Sequence, residues 1–171
     1  MPGRATSRLG TGNRSSGPGR DGILPKQIYT IGHSNHTWER FLALLNQRGI
    51  ELLVDVRSNP ASRWARFANR RVLPRLLDEQ GIRHEYMGDS LGGKPSDPAF
   101  YEDGKPDYPR IAGCAEFQEG IAQLLELAEG ARTAIMCAEE DPARCHRHLL
   151  IGPAMEERGV PLLHIRRDGE V

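Results

Sequence analysis

The segment MCAEEDPARCHRHLL, residues 136–150, places Cys137, Glu139, Cys145, His146 and Arg147 within eleven positions of a chain that has three cysteines in all. These residue types support three chemistries. A thiolate at Cys145 is a nucleophile, with His146 able to move a proton near neutral pH and Glu139 able to orient a neighbour. Cys137, Cys145 and His146 are also metal ligands, or the two thiols form a reversible redox pair. Arginine beside them grips an anion through a two-pronged hydrogen bond. Asp141 is a good N-cap and Pro142 a good first helical residue. The spacing therefore predicts a helix from 142, with Cys145 and His146 in or near its first turn. Free N–H groups and the positive helix end favour a thiolate or an anion there.

Two further clusters carry the same kinds of side chain. An apolar run ends in Gly32, His33 and Ser34. Another ends in Asp55, Arg57 and Ser58, followed by NPASR with Arg63. Cys114 stands apart and reads as structural. His36, His84, His148 and His164 receive no special role.

Five strand-like segments alternate with helical ones. QIYTIG (27–32), IELLVDVRS (50–58), IRHEYMG (82–88), RTAIMCA (132–138) and VPLLHIRR (160–167) read as strands, the third more polar and suited to an edge. Helical spacing of apolar residues marks 37–49, through Trp38, Phe41, Leu42 and Leu45, and 115–130, through Phe117, Ile121, Leu124, Leu125 and Ala128. Residues 70–81 and 142–159 complete the set, the last expected to bend at Gly152-Pro153 because proline cannot donate to the carbonyl of Leu149. The expected fold is α/β and three-layered: a mainly parallel five-stranded sheet with helices on both faces, Rossmann-like. In such a sheet every turn after a strand lies at one edge, where ligands bind. His33, Arg57 and Cys145 would then share a crevice.

Residues 1–26, rich in Gly, Ser and Arg, are expected to be a disordered basic tail. Residues 27–171 are expected to form one domain, with a long loop at 89–112. In that loop LGGK (91–94) is a weak glycine signal, either a lid with Lys94 facing an anion or plain punctuation. The 23 basic and 23 acidic residues balance to zero, which argues against nucleic acid as a partner, apart from a weak contribution of the tail. No apolar run is long enough to span a membrane, and the low cysteine count fits a reducing cytoplasm. No dinucleotide or triphosphate glycine motif is present.

YTIGHSNHTWERFLALL, LLVDVRSNPASR, LGG and MCAEEDPARCHRHLL, in this order, resemble the family known as domain of unknown function 488, over residues of about 28 to 166. The motif positions are Gly32, His33, Ser34, Asp55, Arg57, Ser58, Pro60, Ser62, Arg63, Cys137, Glu139, Cys145, His146 and Arg147. The resemblance implies a compact α/β domain and supplies no reaction.

The residues point to an enzyme on a small phosphorylated or nucleotide-like anion, a Cys/His-dependent hydrolase or transferase. Cys145, His146, His33 and Glu139 are the catalytic candidates. Ser34, Asp55, Arg57, Ser58, Arg63 and Arg147 are the candidates for substrate binding. No cofactor is expected. A metal on Cys137, Cys145 and His146 stays open but is not favoured, because C-x7-C is not the short knuckle spacing and adjacent Cys and His seldom reach one ion. A thiol redox sensor and a nucleic-acid accessory module are the alternatives. Oligomeric state is left open.

Overall fold

Short β-branched and leucine-rich runs bounded by glycine form buried strands here, and the amphipathic runs between them cover both faces. The computed structural model describes Pro25 and residues 27–171, so the expected tail lies almost wholly outside the described residues. In chain order the elements are β1 (Ile28–Gly32), α1 (Trp38–Gln47), β2 (Leu52–Asp55), α2 (Leu73–Asp78), β3 (Arg83–Tyr86) and α3 (Gly88–Leu91). Then come β4 (Tyr101–Glu102), β5 (Lys105–Pro106), α4 (Tyr108–Ala112), α5 (Ala115–Glu129), β6 (Thr133–Cys137), α6 (Gly152–Glu156) and β7 (Leu162–Ile165).

Five strands pair in parallel in the order β3-β2-β6-β1-β7. This is the expected three-layer α/β sheet. β1, β2 and β6 are buried on both faces, whereas β3 alternates as an edge strand should. One face packs Tyr29, Ile31, Leu53 and Met136 under Phe41, Leu44 and Leu45 of α1 and Leu73 and Leu77 of α2. The other packs Ile28, Leu52, Val54 and Ile135 under Phe117, Ile121 and Leu124 of α5 and Met155 of α6. Each of these fully buried side chains contributes about 1.5–3 kcal/mol.

The segment 89–112 is built from α3, a 3-10 turn at Pro98–Phe100, the β4–β5 hairpin and α4, with irregular chain between. The stretch 142–159 differs from the single bent helix expected. It opens with a 3-10 turn at Pro142–Arg144, breaks at Cys145, whose backbone is extended (φ −121°, ψ 144°), and resumes as a π-helical turn, Arg147–Ile151, before α6. The π turn pairs the Gly152 N–H with the Arg147 carbonyl, five residues back. This wider turn precedes Pro153, whose missing N–H and bulky ring spoil α-helical pairing.

The chain leaving β1 crosses to β2 beneath α1. The chain leaving β6 crosses to β7 on the opposite face. The two part company at the β1–β6 boundary, the kind of switch point where an open parallel sheet leaves a crevice. There the turn after β6 passes so close to β1 that a Cβ on Gly32 would lie 1.8 Å from the Glu139 carbonyl oxygen. Gly32→Ala is therefore expected to cost roughly 1–3 kcal/mol or more in denaturant unfolding. Gly130→Ala, where nothing lies within 4 Å of the added carbon, should be neutral or stabilising. Equal effects would remove the close approach as a constraint.

Candidate functional site

Backbone pairing continues past the strand ends and ties three turns together. The N–H groups of His33 and Ser34 donate to the carbonyls of Cys137 and Ala138, and Val56 N–H donates to Met136. Side-chain parity then sorts the polar residues. Asp55 shares the face of Leu53, under α1 and α2. Cys137 shares the face of Ile135, under α5 and α6.

On the second face three donor atoms converge. Cys137 Sγ and Cys145 Sγ lie 3.5 and 3.7 Å from His146 Nδ1, and all three atoms are within 4.8 Å of one another. All three residues are buried. His146 Nε2 lies 3.0 Å from the Val56 carbonyl, which can only accept, so Nε2 carries the proton. Nδ1 then faces both sulfurs. The expectation that adjacent Cys145 and His146 would diverge is overturned. The chain turns from extended at Cys145 to helical at His146, which brings both side chains to one point.

Arg147 is the pillar behind this cluster. It is 1% exposed, and its Nε donates to Cys145 Sγ at 3.2 Å, Nη1 to Thr30 Oγ1 at 3.0 Å and Nη2 to the Glu139 carbonyl at 2.5 Å. Expected as a substrate anchor, it instead fixes the turn from within. The negative charge of the thiol pair rests on Cys145. Hydrogen bonding from Cys137, then from His146, and the nearby Arg147 charge hold its pKa below the usual thiol range. The same bond to Cys145, followed by burial, pushes Cys137 up. Cys137 therefore keeps its proton, shared between the Cys145 sulfur and Glu139 Oε2, which is 3.1 Å away.

The cluster opens into a crevice of about 490 Å³ lined by Arg57, Ser58, Asn59, Gly93, Lys94, Tyr108, Cys137, Ala138, Glu139, Arg144, Cys145 and His146. Lys94 and Arg144 are exposed there, and neither has a carboxylate in ion-pair range among the described residues. LGG passes tightly beneath the rim: a Cβ on Gly93 would lie 2.6 Å from His146 Cβ. Ser58 Oγ accepts from Lys94 N–H and fixes that loop. Sequence reasoning gave Lys94 a minor part and missed Asn59 and Tyr108. The Gly-Gly-Lys pattern was the one signal for this wall.

The remaining candidates lie elsewhere. Arg57 touches the crevice, but its guanidinium is 3% exposed. It bonds Asp55 at 2.8 and 2.6 Å and the Ala68 carbonyl at 2.6 Å. Asp55 and Arg57 are thus a buried ion pair that braces the 58–72 loop. His33 does not line the crevice. Its ring stands edge-on to Phe67, and Nδ1 meets the Ser34 carbonyl at 3.0 Å. Ser34 has a left-handed backbone (φ 43°) and Arg63 is exposed; neither lines the crevice. The common crevice expected for His33, Arg57 and Cys145 is therefore split by the sheet. Cys145 opens into it, Arg57 forms part of its wall, and His33 belongs to the other face.

The family model described as domain of unknown function DUF488 matches residues 37–152. That span holds the DVRSxPxSR and CAExxPxxCHR motifs, and TIGHS precedes it. No curated protein and no solved structure matches the chain.

Two outcomes follow for the buried pair and for His33. Asp55→Ala strands a buried guanidinium and should lower unfolding free energy by roughly 3–5 kcal/mol, most of it recovered in Asp55→Leu/Arg57→Met. A loss below about 1 kcal/mol would mean that the pair does not brace the loop. Burial, then Arg57, lowers the His33 pKa from 6.5 to about 4. Between those values the unfolded chain binds the proton and the folded chain does not. The contribution is complete above 6.5 and is lost as pH falls toward 4. Wild type should lose roughly 2 kcal/mol more than His33→Gln between about pH 7 and about pH 5. Parallel pH profiles would show His33 to be uncoupled from folding.

Proposed function

We propose, for a chain that belongs to the DUF488 family, that the crevice is the active site of a mononuclear zinc-type enzyme hydrolysing a small phosphorylated anion. One observation carries this reading. A tetrahedral ion with Zn–S near 2.3 Å and Zn–N near 2.0 Å holds its sulfur and nitrogen ligands about 3.5 Å apart. The two sulfur–Nδ1 separations are 3.5 and 3.7 Å. The carbonyl of Val56 on the far ring nitrogen is the outer partner that a metal-bound histidine ordinarily has. Cys137, Cys145 and His146 would supply three ligands, and all three line the crevice; that ligand count is one of catalytic rather than structural zinc.

The bound ion would supply Lewis acidity toward an oxygen of the substrate. With a metal held by the two thiolates, Cys137 would give up its proton, and Glu139 Oε2 is placed to pass it to solvent. Glu139, again a carboxylate, would accept a proton from the attacking water and return it to the leaving oxygen, a hydrolysis without redox change. Lys94 and Arg144 hold the anionic group. The need for reduced thiols agrees with a cytoplasmic setting. A second reading has its own support in the Arg147–Cys145 contact: a metal-free Cys145 thiolate acting as nucleophile.

Protein purified without chelator and assayed for metal separates the two. About one zinc per chain is expected, lost in Cys137→Ser, Cys145→Ser and His146→Ala. Arg144→Ala and Lys94→Ala should keep the metal and raise KM for phosphate esters roughly tenfold. A metal-free chain whose Cys145 is alkylated rapidly at about pH 6 would replace the zinc reading with the nucleophile reading.

A further inference from the structure

The loop 58–72 holds a tryptophan out in water. Trp64 is 84% exposed, and Leu149 and Val171 are the other large hydrophobic residues exposed among the described residues. This exposure does not come from slackness in the loop. Ala65, Phe67 and Ala68 are buried beneath it. The Arg70 N–H donates to the Pro60 carbonyl and closes the loop at its base. Within it, Asn69 Oδ1 accepts from Ser62 N–H, Asn69 Nδ2 donates to the Ser62 carbonyl, and Ser62 Oγ accepts from Ala65 N–H. From below, Arg57 holds the Ala68 carbonyl. Trp64 is thus presented by a braced scaffold, with little ordering cost left to meet on binding.

The charge around it is one-sided. Residues 59–77 contain five arginines, Arg63, Arg66, Arg70, Arg71 and Arg75, and no acidic residue, in a chain whose charges otherwise cancel. All five are exposed. Arg70 lies over the Tyr86 ring and Arg75 reaches Glu79, but Arg63, Arg66 and Arg71 have no carboxylate in ion-pair range among the described residues. The zero net charge that argued against a polyanion hides this local excess.

We propose that the 58–72 loop is a binding surface for single-stranded nucleic acid, with a base stacked on Trp64 and flanking phosphates held by Arg63, Arg66 and Arg71. An aromatic face among arginines is the combination that grips unpaired bases and their backbone. A duplex hides its base faces. A membrane surface needs a broader apolar face than one indole, and the other exposed hydrophobics lie outside this loop. Ser58 and Asn59, at the base of the loop, line the crevice. The proposal does not depend on what the cysteine cluster binds.

The test is a fluorescence titration of the full-length chain in a Trp38→Phe background, so that Trp64 is the sole indole. The probes are oligo-dT and oligo-rU of about twelve nucleotides, a duplex of the same length, phosphatidylserine vesicles and polyglutamate. Saturable quenching by the single strands is expected, and markedly weaker binding of the other three. With a labelled oligonucleotide, Trp64→Ala should weaken binding roughly 5- to 100-fold. Arg63→Ala/Arg66→Ala should lower the dependence of log affinity on log salt by about 1.4. Because these side chains are exposed, unchanged circular dichroism checks that the variants fold. No quenching by either oligonucleotide, equal binding of vesicles or polyglutamate, or a Trp64→Ala chain that binds like its parent would each overturn the proposal. Zinc content plays no part in the readout, so failure here leaves the cysteine site untouched, and the reverse also holds.

Discussion

Two sulfurs and an imidazole nitrogen face one buried point, and most of the local architecture follows from holding them there. Three electron-rich atoms at such separations repel unless a proton or a cation lies among them. With protons alone, Cys137 keeps one and Cys145 carries the charge. Arg147 offsets that charge from behind while donating to Thr30 and to the Glu139 carbonyl. Thr30 in turn meets His164 Nδ1 at 2.7 Å, so the brace extends from the turn after β6 across β1 to β7. The glycines at 32 and 93 are there because backbone and ring must come closer than a methyl group allows. The break at Cys145 is the backbone counterpart of the same demand.

The sheet divides the polar residues into two working halves. On the α5–α6 side lie the thiols, His146 and the crevice. On the α1–α2 side lie the Asp55–Arg57 pair and His33, packed against Phe67 and the base of the arginine-rich loop. Arg57 joins the halves, since it touches the crevice wall while its guanidinium braces Ala68. A buried ion pair of this kind gives little net stability but strongly penalises the loss of either partner. It therefore pins the loop in one conformation. The proposed reaction and the proposed nucleic-acid surface would share this rim without sharing ligating residues.

Much of the fold was legible. Buried strands bounded by glycine and the 3.6-residue rhythm of 37–49 and 115–130 specify alternating layers, and parallel pairing follows from the crossovers. Strand order was not legible, because it depends on which helical faces match across the sheet. The site was half legible. Type and spacing brought Cys137, Glu139, Cys145 and His146 to one turn. They could not say which face of the sheet each neighbouring side chain takes, and that parity removed His33 and turned Arg57 from anchor into brace, as the break at Cys145 did for Arg147. The relation of Cys145 to His146 was misread for a local reason: a continuous helix splays adjacent residues by about 100°, whereas this chain breaks between them. Lys94 and Tyr108 reach the crevice only through tertiary folding of 89–112, which no periodicity reports.

X-ray absorption at the zinc edge of the purified, unlabelled chain addresses the central claim most directly. The result expected is a single first shell of two sulfurs near 2.3 Å and two nitrogen or oxygen atoms near 2.0 Å, and no zinc edge in Cys145→Ser. A shell of oxygen and nitrogen alone, or no zinc in the protein, would contradict a cysteine–histidine metal centre at this crevice.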